Sequence, residues 1–222
     1  MATESVEPWI TRRRAETRRR LVEAAYAVFA EMGIRDAPVE LICDRAGFTR
    51  GAFYSNFASK EELFLAVHKV QMQHRAERLG AAVDKALDAI DPDDDSTTTR
   101  VLQEAGRLFM DSLTADETWY LLNIEFRAQA LRQPELRGPT AAAERVFHDA
   151  PATILLRMLD RLDMRLAVEP RHAVLTIITL YETMLERALL DQTPAEADDR
   201  YITEVLPRLF AALITPKTEE ER

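Results

Sequence analysis

A chain of 222 residues, 47% hydrophobic and 30% charged, has enough apolar material for a sizeable core and the charge of an ordinary polar surface. No apolar run approaches the ~20 residues that span a bilayer, and clustered arginines stand where a signal peptide needs an apolar stretch, so we expect a cytoplasmic protein with no membrane partner. The single cysteine, Cys43, excludes an intrachain disulfide and cannot alone form a thiolate metal site.

The net charge of −9 is unevenly distributed along the chain. Residues 1–60 hold ten Lys and Arg against eight Asp and Glu, whereas residues 61–222 hold nineteen against thirty. Because an acidic surface repels DNA, this pattern confines any DNA contact to the N-terminal part. Six arginines stand close together there and predict an arm that touches the DNA backbone or minor groove, with a solvated helix face as the alternative: Arg12, Arg13, Arg14, Arg18, Arg19 and Arg20.

Scarce glycine, the absence of strand-like alternation and the abundance of Ala, Leu, Glu and Arg predict an all-α fold. An apolar stripe predicts a first helix over 11–32, which Gly33 ends in a left-handed conformation. Two short helices are predicted next, over 39–45 and 50–57. Three helices therefore precede residue 60 and form the first predicted domain, over 1–59.

The second predicted domain covers residues 60–222. The pattern Ser59-Lys60-Glu61-Glu62 is a capping box, and it opens a long helix that runs past Leu79. Capping patterns, Gly138-Pro139 and other breaks then divide the remainder into five helices, predicted near 98–113, 116–132, 140–166, 171–191 and 195–213.

Residues 39–63 carry the signature of a helix-turn-helix motif. Ile42 and Cys43 would face the first helix, and Ala46-Gly47 permits a tight turn that a bulkier pair would open. The next helix begins with small or polar residues, so its backbone can approach base edges: Thr49, Arg50, Gly51 and Ala52.

At these residues the sequence resembles the tetracycline-repressor (TetR) family, through Gly33 and then continuously from Ile42 to Leu63. The resemblance implies an N-terminal three-helix helix-turn-helix domain and a C-terminal helical domain for ligand binding and dimerisation. Carried over position by position, it implies that Thr49, Arg50 and Gly51 approach bases and that Tyr54, Asn56 and Lys60 contact phosphates. One departure is Ala37-Pro38, which replaces the usual hydroxyl residues before the second helix and leaves Asp36 as a candidate cap.

Two of these residues have a physical argument of their own. An arginine at the start of the recognition helix suits guanine, because its planar fork bonds O6 and N7 together. The charge of Lys60 opposes the dipole of a helix N-terminus, and a nearby phosphate would offset that cost.

The C-terminal half offers candidates for an effector pocket, which the family resemblance implies, although such residues are most often core. They are Met110, Trp119, Asn123, Phe126, Phe147 and His148. The helix near 171–191 has an apolar stripe wider than one buried face needs, which predicts a core on one side and a partner subunit on the other. The residues predicted for that dimer interface are Val174, Ile178, Tyr181, Met184 and Leu185.

No motif in the sequence supports catalysis, a cofactor or a metal site. The four histidines are scattered, and no Ser-His-Asp order, phosphate-binding glycine loop or dinucleotide fingerprint is present. We therefore expect a homodimeric transcriptional regulator, a repressor that a small-molecule effector releases from double-stranded DNA at an inverted-repeat operator. The alternatives are an interaction protein that docks another protein through its helix-turn-helix, which salt dependence would distinguish, and a small helical enzyme.

Overall fold

The computed structural model of the protein describes residues 8–88, 117–192 and 205–217. Within these ranges the regular secondary structure is helical apart from one pair of three-residue antiparallel strands, so the predicted all-α class is confirmed. In chain order the elements are α1 (Pro8–Asp36), α2 (Val39–Ala46), α3 (Arg50–Tyr54), α4 (Lys60–Asp88), α5 (Glu117–Arg132), α6 (Pro134–Arg161), β1 (Met164–Leu166), α7 (Pro170–Leu190), α8 (Leu206–Ala212) and β2 (Ile214–Pro216). The helix predicted near 98–113, with Met110, lies outside the described residues. No described helix is long and apolar enough to cross a membrane.

The described residues pack into two compact units. The first contains the chain up to Gln71 together with Thr118–Ala143, and the second contains the described parts of 72–117 and 144–222. Helix α4 contributes to both units, because the division falls inside it. Helix α5 joins the N-terminal helices in one unit, whereas the sequence motifs predict a domain boundary after residue 59.

Glycine positions set the local structure of the N-terminal helices, as the sequence predicts. Gly33 interrupts α1 with φ 79 and ψ 167, a conformation that residues with a Cβ rarely adopt. Gly47 ends α2 in the left-handed region, with φ 72 and ψ 36, and its amide donates to the carbonyl of Asp44 at 3.1 Å. A Cβ at Gly47 would lie 2.9 Å from Arg20 Nη2, so the guanidinium of Arg20 would have to shift to accommodate a side chain there.

Helix α3 is shorter than the predicted span of 50–57. Thr49 caps its start as expected, and the Thr49 hydroxyl accepts from the amide of Ala52 at 3.2 Å. Its end comes early because two polar side chains bond back to the same carbonyl. Ser55 Oγ donates to Ala52 O at 2.9 Å and Asn56 Nδ2 donates to it at 2.8 Å.

Helix α6 starts six residues earlier than predicted, so Gly138 and Pro139 lie inside it. Only Gln133 separates α5 from α6, and Pro134 occupies the first helical position, where the missing amide costs nothing. The helix also ends before the predicted residue 166, because Asp163 has a φ of 60 that helical geometry excludes. The chain then enters β1, whose Leu166 pairs with Ile214 of β2.

The core of the second unit lies between α4 and α6. Leu79, Val83 and Leu87 of α4 cluster with Met158 and Leu159 of α6. Ile214 of β2 belongs to the same cluster, and partly buried hydrophobic side chains pack around it. This packing gives α4 an apolar face over its last turns, as expected of a long helix inside a helical domain.

The apolar stripe of α7 faces the interior of its own chain. Val174, Ile178, Tyr181 and Leu185 are at most 8% exposed, and burial raises the pKa of Tyr181 to about 12, with the positive charge of Arg75 acting in the opposite direction. Val174 and Ile178 pack with Ala152 of α6. Four of the five predicted interface residues are therefore interior residues of one copy, and only the half-buried Met184 keeps some surface. The sequence shows how wide the apolar stripe of α7 is, but it does not show which part of the protein the stripe packs against.

Candidate nucleic-acid interface

Helices α2 and α3 form a helix-turn-helix in which the first helix is buried and the second is displayed. Ile42, Cys43 and Ala46 of α2 are buried in the core of the first unit. Burial raises the pKa of the Cys43 thiol, which keeps it a neutral packing group. Phe53 anchors α3 and is fully buried, with the Phe57 ring 6.1 Å away. The rest of the α3 surface can therefore face a ligand.

The N-terminal end of α3 presents little side-chain bulk. Thr49 and Gly51 are both exposed. A Cβ at Gly51 would meet only Thr49 Oγ1, at 3.7 Å, so the space beyond it is open. Since the Thr49 hydroxyl accepts the capping bond, its hydrogen remains available as a donor. This geometry allows the backbone of α3 to approach another molecule closely.

Arg50 is the exposed cation at this end of α3. Its Nη1 lies 2.6 Å from Glu40 Oε1, while its guanidinium carbon lies 5.9 Å from the centroid of the Tyr54 ring. A hydrogen bond with Tyr54, and next the Glu40 carboxylate, raise the pKa of Arg50 above its ordinary value. The Tyr54 side chain is 52% exposed and its ring packs edge-on against Phe53 at 5.1 Å. Tyr54 and Arg50 thus form one exposed polar surface.

Lys60 is placed differently from the expectation of a phosphate contact. Its Nζ donates to the carbonyls of Ile34, Arg35 and Ala37, at 3.0, 2.7 and 2.9 Å. A lysine ammonium has three donors, and all three are used here. The charge that opposes the dipole of α4 is therefore offset by the carbonyl end of α1, which sequence reasoning missed.

Asn56 is also placed inside the fold. It is 9% exposed, and its Nδ2 donates to Ala52 O and, at 3.2 Å, to Ser55 Oγ. Both amide hydrogens are therefore used within the motif, where Asn56 closes α3. The side chain has no donor left for the predicted phosphate contact.

The segment before α2 lacks a side-chain cap. Pro38 is its N-cap residue, and no side chain caps the helix. Asp36 is therefore not a cap here, and Ala37 is buried at 1% exposure. Lys60 and the amide of Ile42, which donates to Pro38 O at 3.3 Å, supply the polar contacts at this helix start.

The six N-terminal arginines divide into two groups. One group makes contacts within the first unit. The guanidinium of Arg18 lies over the Phe57 ring at 4.1 Å and donates to Asn56 O, and that of Arg20 lies over the Phe48 ring at 4.9 Å. Arg14 Nη2 approaches Ser55 O at 3.4 Å, and Arg19 pairs with Glu16 and Glu23. Arg12 and Arg13 are exposed.

A residue that sequence reasoning missed is Glu125 of α5. Its carboxylate accepts from the amide of Ile34 at 2.9 Å and from the amide of Arg35 at 2.7 Å. A Cβ at Gly33 would lie 3.0 Å from Glu125 Oε2, so the glycine also leaves room for this carboxylate. Helix α5 is therefore bonded directly to the segment that leads into α2. No local pattern indicates a contact between residues 91 positions apart.

The candidate effector residues are not all found in one unit. Trp119 and Phe126 are buried in the first unit, where the Phe64 ring of α4 lies 6.0 Å from the Trp119 ring and 4.3 Å from the Phe126 ring. Asn123 is half-buried on the same helix. The half-buried Phe147 and His148 belong to the second unit, with ring centroids 5.3 Å apart.

A buried first helix, a glycine turn and an exposed second helix define an all-helical protein of the helix-turn-helix class. Residues 21–67 match the model of a family described as bacterial regulatory proteins, tetR family. The matched range includes all of α2 and α3 and the first turns of α4. This match confirms, over the helix-turn-helix domain, the resemblance found in the sequence.

The chain is similar in sequence to known transcriptional regulators and similar in fold to solved structures. The HTH-type transcriptional activator FasR of Mycolicibacterium smegmatis is 31% identical over 147 residues, which are 65% of this chain and 61% of FasR. The matched part thus spans less than two thirds of the length of FasR. A TetR-family protein from Mesorhizobium loti has a TM-score of 0.69 at 20% identity, covering 91% of this chain and 98% of its own. FadR from Bacillus subtilis, solved in complex with stearoyl-CoA, has a TM-score of 0.55 at 20% identity, covering 85% and 96%.

Proposed function

We propose that the protein is a DNA-binding transcriptional regulator, not an enzyme, that acts in the cytoplasm as a homodimer on an inverted-repeat operator. The observation that carries this proposal is the exposed end of α3, where Arg50 stands beside Thr49 and the open backbone of Gly51. An arginine there can bond guanine in the major groove, and small neighbours let it reach the base edge.

The contacts proposed for the DNA backbone come from the exposed part of the same unit. The Tyr54 hydroxyl lies on the exposed face of α3, and Arg12 and Arg13 supply charge from α1. Phosphate contacts position the protein and carry no sequence information themselves. Lys60 and Asn56 are not included, because their donors are used within the fold.

The homodimer is proposed to form through the outward face of α7. Leu175 and Leu190 are 45% and 74% exposed on that helix. The hydroxyls of Thr176 and Thr183 donate to carbonyls of their own helix, at 2.8 and 2.9 Å, so burying them leaves no donor unsatisfied. A two-fold dimer would place two recognition helices about 34–36 Å apart, in successive major grooves.

The regulator is proposed to respond to a small-molecule effector through α4 and α5. Trp119 and Phe126 pack against Phe64 of α4, so a ligand that enters beside them would displace α4. Because Glu125 bonds the amides that precede α2, a shift of α5 would also move the helix-turn-helix. An effector releases DNA only if it favours one conformation, and such coupling is typically about 1–3 kcal/mol.

Selection from a random duplex library, followed by titration at several salt concentrations, tests the proposed function. The wild type is expected to select an inverted repeat and to lose affinity steeply as salt rises, because phosphate contacts release counterions. Arg50→Ala is expected to lose about 1–3 kcal/mol on the selected duplex and to relax one base position per half-site. A protein whose affinity ignores salt, or that selects no sequence, would favour the alternative in which the motif docks another protein.

The same protein allows a test of the effector. Trp9→Phe leaves Trp119 as the single tryptophan, so its fluorescence reports on the core beside Phe64. A compound from a hydrophobic panel that quenches this fluorescence and also weakens binding to the selected duplex identifies the effector. If compounds that release the duplex leave this fluorescence unchanged, the effector binds elsewhere.

A further inference from the structure

Glu40 is an acidic residue on the surface that is proposed to face DNA. It is the second residue of α2, and its Oε1 lies 2.6 Å from Nη1 of Arg50, the first residue of α3. The side chains are 55% and 60% exposed, so solvent reaches both. An ion pair this exposed contributes little to folding stability, and a carboxylate close to phosphates weakens DNA binding. Neither the fold nor general affinity for DNA explains this pair.

We propose that Glu40 is a positioning residue that sets the base specificity of Arg50. The inference rests on the proposed function, in which Arg50 reads a base. The guanidinium is held between the Glu40 carboxylate at Nη1 and the Tyr54 ring, whose centroid is 5.9 Å from the guanidinium carbon. With Nη1 in the ion pair, the edge formed by Nε and Nη2 faces away from Glu40. That edge presents two parallel donors, which match O6 and N7 of guanine once the Tyr54 hydroxyl turns from Arg50 to a phosphate.

Fixing the guanidinium affects which bases are accepted as well as how tightly DNA is bound. A free arginine bends toward phosphates or toward any acceptor in the groove, whereas a held arginine offers two donors in one direction and rejects bases that lack two acceptors. Glu40→Gln keeps the size of the side chain and removes its charge. It should therefore tighten binding to every duplex, because one repulsion with phosphates is removed, and at the same time lower discrimination between bases.

The experiment compares affinities on matched duplexes. The probes are the duplex selected by the wild type, a random duplex, and duplexes that carry each other base at the position identified by Arg50→Ala. For Glu40→Gln we expect about a tenfold loss of discrimination at that position, within the range of one bidentate base contact. We also expect tighter binding to the random duplex. Thermal unfolding of each variant verifies that it is folded.

Glu31→Gln is the matched control. Glu31 forms an ion pair with Arg45 at 2.5 Å in the same unit, and neither residue lies on α3. The control removes the same charge and should change affinity without changing discrimination. Unchanged discrimination in Glu40→Gln would overturn the proposal, and so would an equal loss in Glu31→Gln. If the wild type binds no duplex in a salt-dependent way, the proposed function fails as well, whereas base reading by Arg50 with no effect of Glu40 overturns this inference alone.

Discussion

Lys60 and Glu125 bind the same segment between α1 and α2, Lys60 at its backbone carbonyls and Glu125 at its backbone amides. The ammonium of Lys60 donates to three carbonyls within residues 34–37, and the carboxylate of Glu125 accepts from the amides of residues 34 and 35. One comes from the start of α4 and the other from α5. The position of α2 is therefore set by two helices that follow the helix-turn-helix in sequence.

The first prediction concerns the carbonyl contacts of Lys60. Lys60→Met keeps most of the aliphatic stem and leaves three carbonyls without their charged donor, so we expect a loss of about 1–3 kcal/mol in the free energy of unfolding. Urea unfolding followed by circular dichroism measures it. Lys69→Met, an exposed lysine of the same helix, is the control and should change little. Equal stability of the two variants would contradict a structural role for Lys60. If folded Lys60→Met binds DNA with a reduced salt slope, the prediction that Lys60 contacts a phosphate would be supported instead.

Local patterns in the sequence predict those features that act within a few residues. Gly33, Gly47 and Thr49 each set the backbone of their own turn, so the helix boundaries and the motif around them can be inferred. The partners of Lys60 lie 23 to 26 residues away and that of Glu125 up to 91 away, and periodicity carries no information about such distances. The sequence correctly indicates that the positive charge of Lys60 is unfavourable at the N-terminus of its helix. The carbonyl groups at the end of another helix and a phosphate would offset that charge equally well, so the sequence does not distinguish them.

The same limit explains the interface residues of α7. A stripe of Val174, Ile178, Tyr181 and Leu185 shows that these side chains share one face, and helix geometry fixes that much. Whether the face meets the chain's own α6 or a second copy depends on tertiary packing. The pattern therefore identifies a buried face but not the neighbour that buries it. Side chains of the same chain bury these residues, and a partner subunit at this face stays a prediction.

The second prediction compares two glycines, Gly33 with a positive φ and Gly80 inside a helix. Gly33→Ala forces a side chain into positive φ, with its Cβ 3.0 Å from Glu125 Oε2, and should destabilise the fold by about 1–3 kcal/mol. Gly80→Ala is the control, because Gly80 lies inside α4 and its Cβ would make only ordinary contacts, 3.8 Å from Ile154 Cδ1 and 3.9 Å from Arg157 Nη2. The control should stabilise by roughly 0.5–1 kcal/mol. Thermal or urea unfolding gives both values, and shifts of the same sign would refute the strain assigned to Gly33.

The third prediction separates the outward face of α7 from its buried face. Leu190→Glu and Leu175→Glu place a charge on the proposed dimer contact and should raise the dissociation constant of the dimer, at a cost on the order of 2 kcal/mol, with the fold intact. Tyr181→Asp buries a charge inside one copy and should lower the unfolding temperature instead. Sedimentation velocity and thermal unfolding measure the two effects.

Leu156→Glu is the control for the dimer variants, since Leu156 has 44% exposure on α6, close to the 45% of Leu175. It should leave the association of subunits unchanged. A dimer that dissociates equally in Leu156→Glu, or that resists both α7 substitutions, would show that the partner contacts another surface.

The last prediction divides the N-terminal arginines by what they contact. Arg12 and Arg13 are exposed, whereas Arg18 lies 4.1 Å over the Phe57 ring. Replacing Arg12 and Arg13 together with Gln should leave stability unchanged and weaken the selected and the random duplex by similar factors, because phosphate contacts are independent of sequence. The slope of log affinity against log salt should fall by about 0.9 for each phosphate that the variant no longer neutralises, and a dimer doubles this effect.

Arg18→Gln should lower the unfolding temperature, since it removes a cation from an aromatic face and a donor from Asn56 O. Arg157→Gln with Arg161→Gln makes the same change of charge in the second unit and is the control. If the double substitution at 12 and 13 changes the salt slope no more than this control does, these arginines form a solvated face and do not contact DNA.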